Sequence, residues 1–115
     1  MPDCLFCKIV AGEIPAKIVK RSEHAVAFRD IDPKAPTHVL VIPVKHVPAV
    51  RDARGEDGEL LVGRTLAFAA EVATELGLDG AGYRLVTNTG KDSGQSVDHL
   101  HFHLLGGRRM TWPPG

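Results

Sequence analysis

Three histidines at alternate positions, His99, His101 and His103, crowd one short stretch of a chain that holds six. Alternate side chains of an extended strand share a face, so these imidazoles would stand in a row. Leu100, Phe102 and Leu104 would then turn to the opposite face, into a core. A merely polar face uses Thr, Ser, Lys or Glu, so a His row at strict alternation reads as a site. At a rise of about 3.3 Å per residue, the backbones of His99 and His103 are about 13 Å apart. A single ion held at Zn–N of about 2.0 Å cannot comfortably take both, so at most two of the three share a metal. The row better suits donors and a nucleophile arrayed along an extended substrate.

The loop ahead of the row, Asn88 to Ser96, is polar and carries Gly90 and Gly94. Backbone N–H groups of such a loop, with the Ser96 hydroxyl, can cradle an anion. Imidazoles beside an anion cradle point to phosphoryl or nucleotidyl transfer. A neutral imidazole at His101 can attack phosphorus if one ring nitrogen is bare and a backbone carbonyl holds the other as N–H. The neighbouring histidines would donate to the non-bridging oxygens and assist the leaving group.

The elements that must position this row are legible from punctuation and period. A short helix is expected within residues 3–10, then strands over Ile18–Lys20 and Ala25–Phe28. Asp30 to Pro36, with Pro33 and Pro36, reads as a loop. His38 to Ile42 is a β-branched apolar run stopped by Pro43 and reads as a buried central strand. Arg51 to Gly58 reads as a solvated loop. From Glu59 to Leu76 the period becomes helical, with Leu61, Thr65, Phe68, Val72 and Leu76 on one face and Gly77 as the stop. Strands over Tyr83–Thr87 and His99–Leu105 complete the chain, and His24 reads as surface. One long helix cannot supply the crossovers of a parallel sheet, so the expected class is α+β with a mainly antiparallel sheet.

The 115 residues form one expected domain, 1–115. Fourteen basic and fourteen acidic residues give no net charge, which excludes the electrostatic footprint of a nucleic-acid polymer binder or a polybasic membrane protein. No run approaches the roughly 20 apolar residues of a spanning helix. Met1-Pro2-Asp3-Cys4 does not resemble a signal peptide, so the expected compartment is the cytoplasm.

The match between these residues and a known family is extensive. His99-Leu100-His101-Phe102-His103-Leu104-Leu105 resembles the signature of the histidine triad (HIT) family, His-φ-His-φ-His-φ-φ with φ apolar. Gly94-Gln95-Ser96-Val97, Gly106-Gly107-Arg108 and Trp112-Pro113-Pro114-Gly115 resemble its nucleotide-binding branch, often called Hint. Phe6-Cys7-Lys8-Ile9, Glu13-Ile14-Pro15-Ala16, Phe28-Arg29-Asp30-Ile31 and Ala35 to Pro43 fit the same branch, so the resemblance covers essentially the whole chain.

The resemblance implies a HIT-like fold: about five antiparallel strands with one long and one short helix, the sheet continuing across a homodimer. It implies binding of purine nucleotides of the AMP or GMP type and hydrolysis of nucleoside phosphoramidates such as adenosine 5′-monophosphoramidate. Carried over by position, His101 is the nucleophile, supported by His103, His38, His99 and Ser96. Asp30 binds the ribose hydroxyls, Ile31 lines the base pocket, and Asn88, Gln95 and Ser96 approach the phosphate or leaving group. Trp112 lies near the partner's site. Two departures, Asp98 in place of an aromatic residue and Thr111 where some relatives have His, bear on leaving-group preference and leave the nucleophile untouched.

The only cysteines, Cys4 and Cys7, have zinc-ligand spacing but supply two of four ligands. His46 and His99 are available to complete a structural Cys₂His₂ site, an arrangement that resembles some bacterial members of the family. A redox pair or two plain reduced thiols are the rivals, and no organic cofactor is expected. Arg108 and Arg109 read as solvent-exposed or as attracting a phosphate. The rival functions are a dinucleoside polyphosphate hydrolase or nucleotidyl transferase on the same triad, a nucleotide-binding interaction module with incidental hydrolysis, and a small zinc-binding structural protein.

Overall fold

The computed structural model describes residues 3–115, so the leader reading at Met1 and Pro2 lies outside the described residues. A short helix α1 (Leu5–Val10) is followed by β1 (Ile18–Arg21), β2 (Ala25–Arg29) and β3 (Thr37–Pro43). The long helix α2 (Gly55–Glu75) precedes β4 (Tyr83–Val86) and β5 (Phe102–Gly106). The five strands form one sheet in the order β1-β2-β3-β5-β4, antiparallel at every junction. This is the expected α+β class, with the apolar run of β3 at the centre.

Strand alternation splits the core in two. Ala25, Ala27, Val39, Val41, Phe102 and Leu104 face α2 and pack on Phe68, Ala69, Val72 and Ala73. Val26, Phe28, Leu40 and Ile42 face the other way and pack on Phe6 and Ile9 of α1. Because both faces of β3 are covered, the strand reads as continuously apolar rather than alternating.

Two boundaries differ from the sequence reading by more than one residue. Helix α2 begins at Gly55, and the expected loop before it is a single 3₁₀ turn, Val50–Asp52. The first turn of α2 is solvated, so it carries no apolar period. It holds Glu56 and Asp57, whose charges suit the positive helix end. At the other end, Gly77 takes φ +75° and closes the helix as expected. The last strand begins at Phe102 rather than His99, which changes what the histidines do.

Candidate active site

Sheet register brings two histidines together. Leu40 pairs with His103 and His38 with Leu105 across β3 and β5. Opposite residues share a face, so His38 and His103 are diagonal neighbours on the α1 side. Their rings meet, with His38 Nε2 2.9 Å from His103 Nδ1. Asp30, just past β2, places Oδ2 3.4 Å from His38 Nε2.

Backbone groups fix the tautomer of each ring. The Lys34 N–H donates to His38 Nδ1 at 3.0 Å. A peptide N–H can only donate, so His38 carries its proton on Nε2 and offers it to His103 Nδ1. His103 must then carry its proton on Nε2. His101 is set the opposite way: its Nδ1 lies 2.8 Å from the His99 carbonyl. A carbonyl can only accept, so Nδ1 holds the proton and Nε2 keeps a bare lone pair. The His101 and His103 rings stand side by side at 5.2 Å between centroids, one with a bare nitrogen and one with an N–H. The Thr87 hydroxyl donates to the His101 carbonyl at 2.8 Å, and the Phe6 ring packs edge-on against the His101 ring at 5.1 Å.

His99 leaves the expected row. It precedes β5, is fully buried, and turns toward the cysteines of α1. Its backbone neighbours are satisfied outside the ladder, Leu100 N–H by the Val47 carbonyl and the His99 carbonyl by the His101 ring. His99 Nε2 lies 2.9 Å from the Pro43 carbonyl, so it carries the proton and Nδ1 presents a lone pair. That lone pair meets Cys4 Sγ at 3.3 Å, Cys7 Sγ at 3.6 Å and His46 Nδ1 at 3.2 Å, while Cys7 Sγ and His46 Nδ1 are 3.3 Å apart. A tetrahedral zinc would space nitrogen pairs by about 3.3 Å and sulfur–nitrogen pairs by about 3.5 Å. The four side chains therefore fit a closed, structural zinc site with no open position. Without a cation, burial and the neighbouring Cys4 thiol push the Cys7 thiol up.

Asp30, His38 and His103 also offer three ligand atoms within 4.8 Å of one another. The Lys34 N–H argues against a cation there. It occupies the Nδ1 lone pair of His38 and so keeps a proton on Nε2, the atom an ion would need.

A groove of about 770 Å³ adjoins this row. Phe6, Ile9, Ile14, Phe28 and Leu40 wall it together with Asp30, His38 and the fully exposed Ile31. The volume and mixed lining suit a nucleoside. Ser96 is exposed and Asn88 half-buried in the Gly loop. Gln95 is a brace: its Oε1 accepts from Gly90 N–H at 2.9 Å, and Nε2 donates to the Pro48 and Val97 carbonyls at 2.7 and 3.0 Å. Trp112 is exposed beside the Arg84 guanidinium, 5.9 Å from its ring.

Comparison with known proteins settles the family. The family model of the HIT domain matches residues 11–110. The chain belongs to the HIT family. An uncharacterised HIT-like protein of Synechocystis is 50% identical over 113 residues, 98% of this chain and 97% of that one. A HIT family hydrolase from Legionella pneumophila superposes with a TM-score of 0.94 at 51% identity, covering 98% of this chain and all of that one. A histidine triad nucleotide-binding protein from Candida albicans superposes at 0.81 with 32% identity, over 96% of this chain and 83% of that one.

In this HIT domain the sequence reading missed three partners of the histidines. Phe6 sits between the two cysteines, where an apolar residue in a short helix was a usable signal. The Lys34 N–H and the Pro43 carbonyl are backbone groups that no residue type announces.

Burial favours the neutral form of three of these histidines, His38, His99 and His103. Burial lowers His103 to about 4, helped by the His101 and His38 charges and opposed by Asp30. Burial also lowers His38, against the pull of Asp30, and lowers His99, against its bond to Pro43. An unfolded imidazole titrates near 6.5, so on acidification the unfolded chain takes up protons that the folded HIT domain refuses. The stability His103 contributes in this way is complete above about pH 6.5 and drains as pH falls toward about 4, and His38 and His99 act in the same direction. Thermal melts followed by circular dichroism should show a midpoint that is flat near neutrality and falls through this window. A midpoint unchanged across it would contradict the buried neutral assignment.

Proposed function

We propose that this protein is a purine nucleoside phosphoramidate hydrolase working through a covalent nucleotidyl-histidine on His101. The supporting observation is the opposed tautomers of the row: a bare Nε2 on His101 beside an Nε2–H on His103. In the first step the His101 Nε2 lone pair attacks phosphorus and forms an N–P bond. The P–N bond to the leaving amine breaks, and that nitrogen takes up one proton from solvent. Nδ1–H stays on the His99 carbonyl and spreads the positive charge that develops on the ring. His103 Nε2–H and the loop at Asn88 and Ser96 stabilise the non-bridging oxygens. Water then cleaves the nucleotidyl-histidine, releases the nucleoside monophosphate and returns a proton to solvent. A P–N bond is formed as one is broken, so the two half-reactions are closely matched in energy.

Asp30 accepts from the ribose hydroxyls, and the apolar groove takes the base. Cys4, Cys7, His46 and His99 hold a structural zinc, which supplies no step of the reaction. The hydrolase names carried by relatives such as the Legionella protein agree with this reading. The protein works as a homodimer, with the outer strand β4 free to pair with a second copy. Sedimentation equilibrium should give twice the 12.4 kDa chain mass, and a monomer would contradict this.

Steady-state assays should show turnover of adenosine 5′-monophosphoramidate at least about tenfold above that of diadenosine polyphosphates in kcat/KM. The reverse order would favour the polyphosphate hydrolase reading.

A further inference from the structure

The turn after β5 touches the loop between β2 and β3 at two points that the chemistry above does not use. Gly107, at φ +87°, lies so close to this loop that a Cβ would meet the Pro36 ring at 2.9 Å. The close approach brings Arg108 across the loop, where its Nε donates to the Lys34 carbonyl at 3.0 Å. Nη1 donates to the Arg109 carbonyl at 3.3 Å. The guanidinium is thus engaged by backbone and is not aimed at a phosphate.

Lys34 is consequently held from both sides, its carbonyl by Arg108 and its N–H by His38 Nδ1. The rest of the loop offers less restraint. Asp30 Oδ1 accepts from Asp32 N–H at 2.8 Å, and the Lys34 ammonium reaches only the exposed Asp32 carboxylate. Prolines 33 and 36 bracket Lys34 and cannot donate backbone bonds of their own.

The His38–His103 pair has two possible proton arrangements. In one, protons sit on both Nε2 atoms and His103 presents an N–H to the substrate. In the other, protons sit on both Nδ1 atoms and His103 presents a lone pair, which repels phosphate oxygens. The second arrangement sets His38 Nδ1–H against the Lys34 N–H, donor against donor. Lys34 N–H therefore selects the first, provided the loop holds it in place.

We propose that Arg108 is a positioning residue: by clamping Lys34 it keeps the His38–His103 pair in the single tautomeric order that gives His103 a donor. The proposal rests on the phosphoramidase reading for its kinetic consequence, while the tautomer order can be observed without any substrate.

The test uses full-length protein labelled with ¹⁵N in histidine, as wild type, Arg108→Ala, Arg108→Lys and Lys34→Pro. Near neutral pH, the wild type should show pyridine-type Nδ1 on His38 and His103 and pyrrole-type Nδ1 on His101. Arg108→Ala should move Nδ1 of His38 and His103 toward pyrrole character and leave His101 unchanged. It should lower kcat for adenosine 5′-monophosphoramidate about fivefold, as expected for one lost hydrogen bond, with KM little changed. Arg108→Lys, which keeps a donor, should restore most of both, and Lys34→Pro, which deletes the N–H, should exceed both effects. Unchanged ¹⁵N patterns in Arg108→Ala and Lys34→Pro would overturn the proposal. So would a loss of activity expressed only in KM, which would mark Arg108 as a phosphate-attracting charge. Should the wild type fail to turn over the substrate, the phosphoramidase reading falls and the ¹⁵N patterns still decide the clamp.

Discussion

A His101→Gly variant is expected to keep its fold and to lose turnover of adenosine 5′-monophosphoramidate by on the order of 10⁴-fold. The size of the loss follows from the proton inventory of the row. No other ring has a spare lone pair at the right place. His103 Nε2 carries a proton, because its Nδ1 accepts from His38. His38 Nδ1 is occupied by the Lys34 N–H, and His99 Nε2 by the Pro43 carbonyl. His99 Nδ1 is turned into the cysteine cluster. A water molecule would have to replace a nucleophile already oriented by the His99 carbonyl. The structural cost is small by comparison. The ring is buried against Phe6 and His103, so its removal leaves a cavity worth about 1–3 kcal/mol. Circular dichroism and a shifted but cooperative melt would show the variant folded, and single-turnover kinetics would measure the loss. Retention of more than about a tenth of the activity would contradict the assignment of the nucleophile.

The second large effect is expected on stability. Purified protein should contain one zinc per chain, and a strong chelator should lower its melting midpoint by about 10 °C or more. The cluster ties three parts of the chain together: α1 through Cys4 and Cys7, the segment after β3 through His46, and the approach to β5 through His99. Helix α1 has six residues, far below the length at which an isolated helix holds in water. Its docking contributes Phe6 and Ile9 to one of the two cores. Release of the ion would free α1 and withdraw Phe6 from the edges of His99 and His101. Turnover should therefore fall together with stability. Cys7→Ser should reproduce the loss, and chelator should then add little, because both act on one site. Cobalt substitution should give the visible absorption of a tetrahedral thiolate site. A metal-free protein with a melting midpoint indifferent to chelator would contradict this account and leave plain reduced thiols.

Both predictions draw on residues that the sequence exposes to different degrees. The alternation His101-Phe102-His103 was readable because strand period alone sends Phe102 to the α2 core and the histidines away from it. His99 follows the same alternation on paper but not in space. The Leu100 N–H goes to the Val47 carbonyl and the His99 carbonyl to the His101 ring rather than to a strand, and the His99 ring turns to the cysteines. Periodicity carries no record of a backbone that is still outside the ladder over the first three residues of the expected strand. His38 lies 65 residues from His103, and only the β3–β5 register makes them neighbours. Sequence spacing cannot supply that register, and only the family resemblance placed His38 at the same site as the triad. Cys4 and Cys7 have zinc-ligand spacing, His46 and His99 were available to complete the set with the support of the family resemblance, and the structure brings the four ligand atoms together. Lys34 and Pro43 act through peptide groups, which every residue possesses. Their roles follow from where the chain runs and not from which side chain it carries. Gln95 shows the converse: a polar side chain beside the triad, expected at the phosphate, whose amide is spent on bracing its own loop.

The central claim is a covalent bond between His101 and the nucleotide phosphorus. The direct measurement is intact-protein mass spectrometry after rapid mixing of adenosine 5′-monophosphoramidate with wild type and with His101→Ala, quenched under alkaline conditions that preserve phosphoramidates. The account predicts a transient adduct of one adenylyl group per chain in the wild type, mapped by fragmentation to His101, and none in the variant. AMP release from the wild type with no adduct at any time point, or an adduct that persists in His101→Ala, would contradict it.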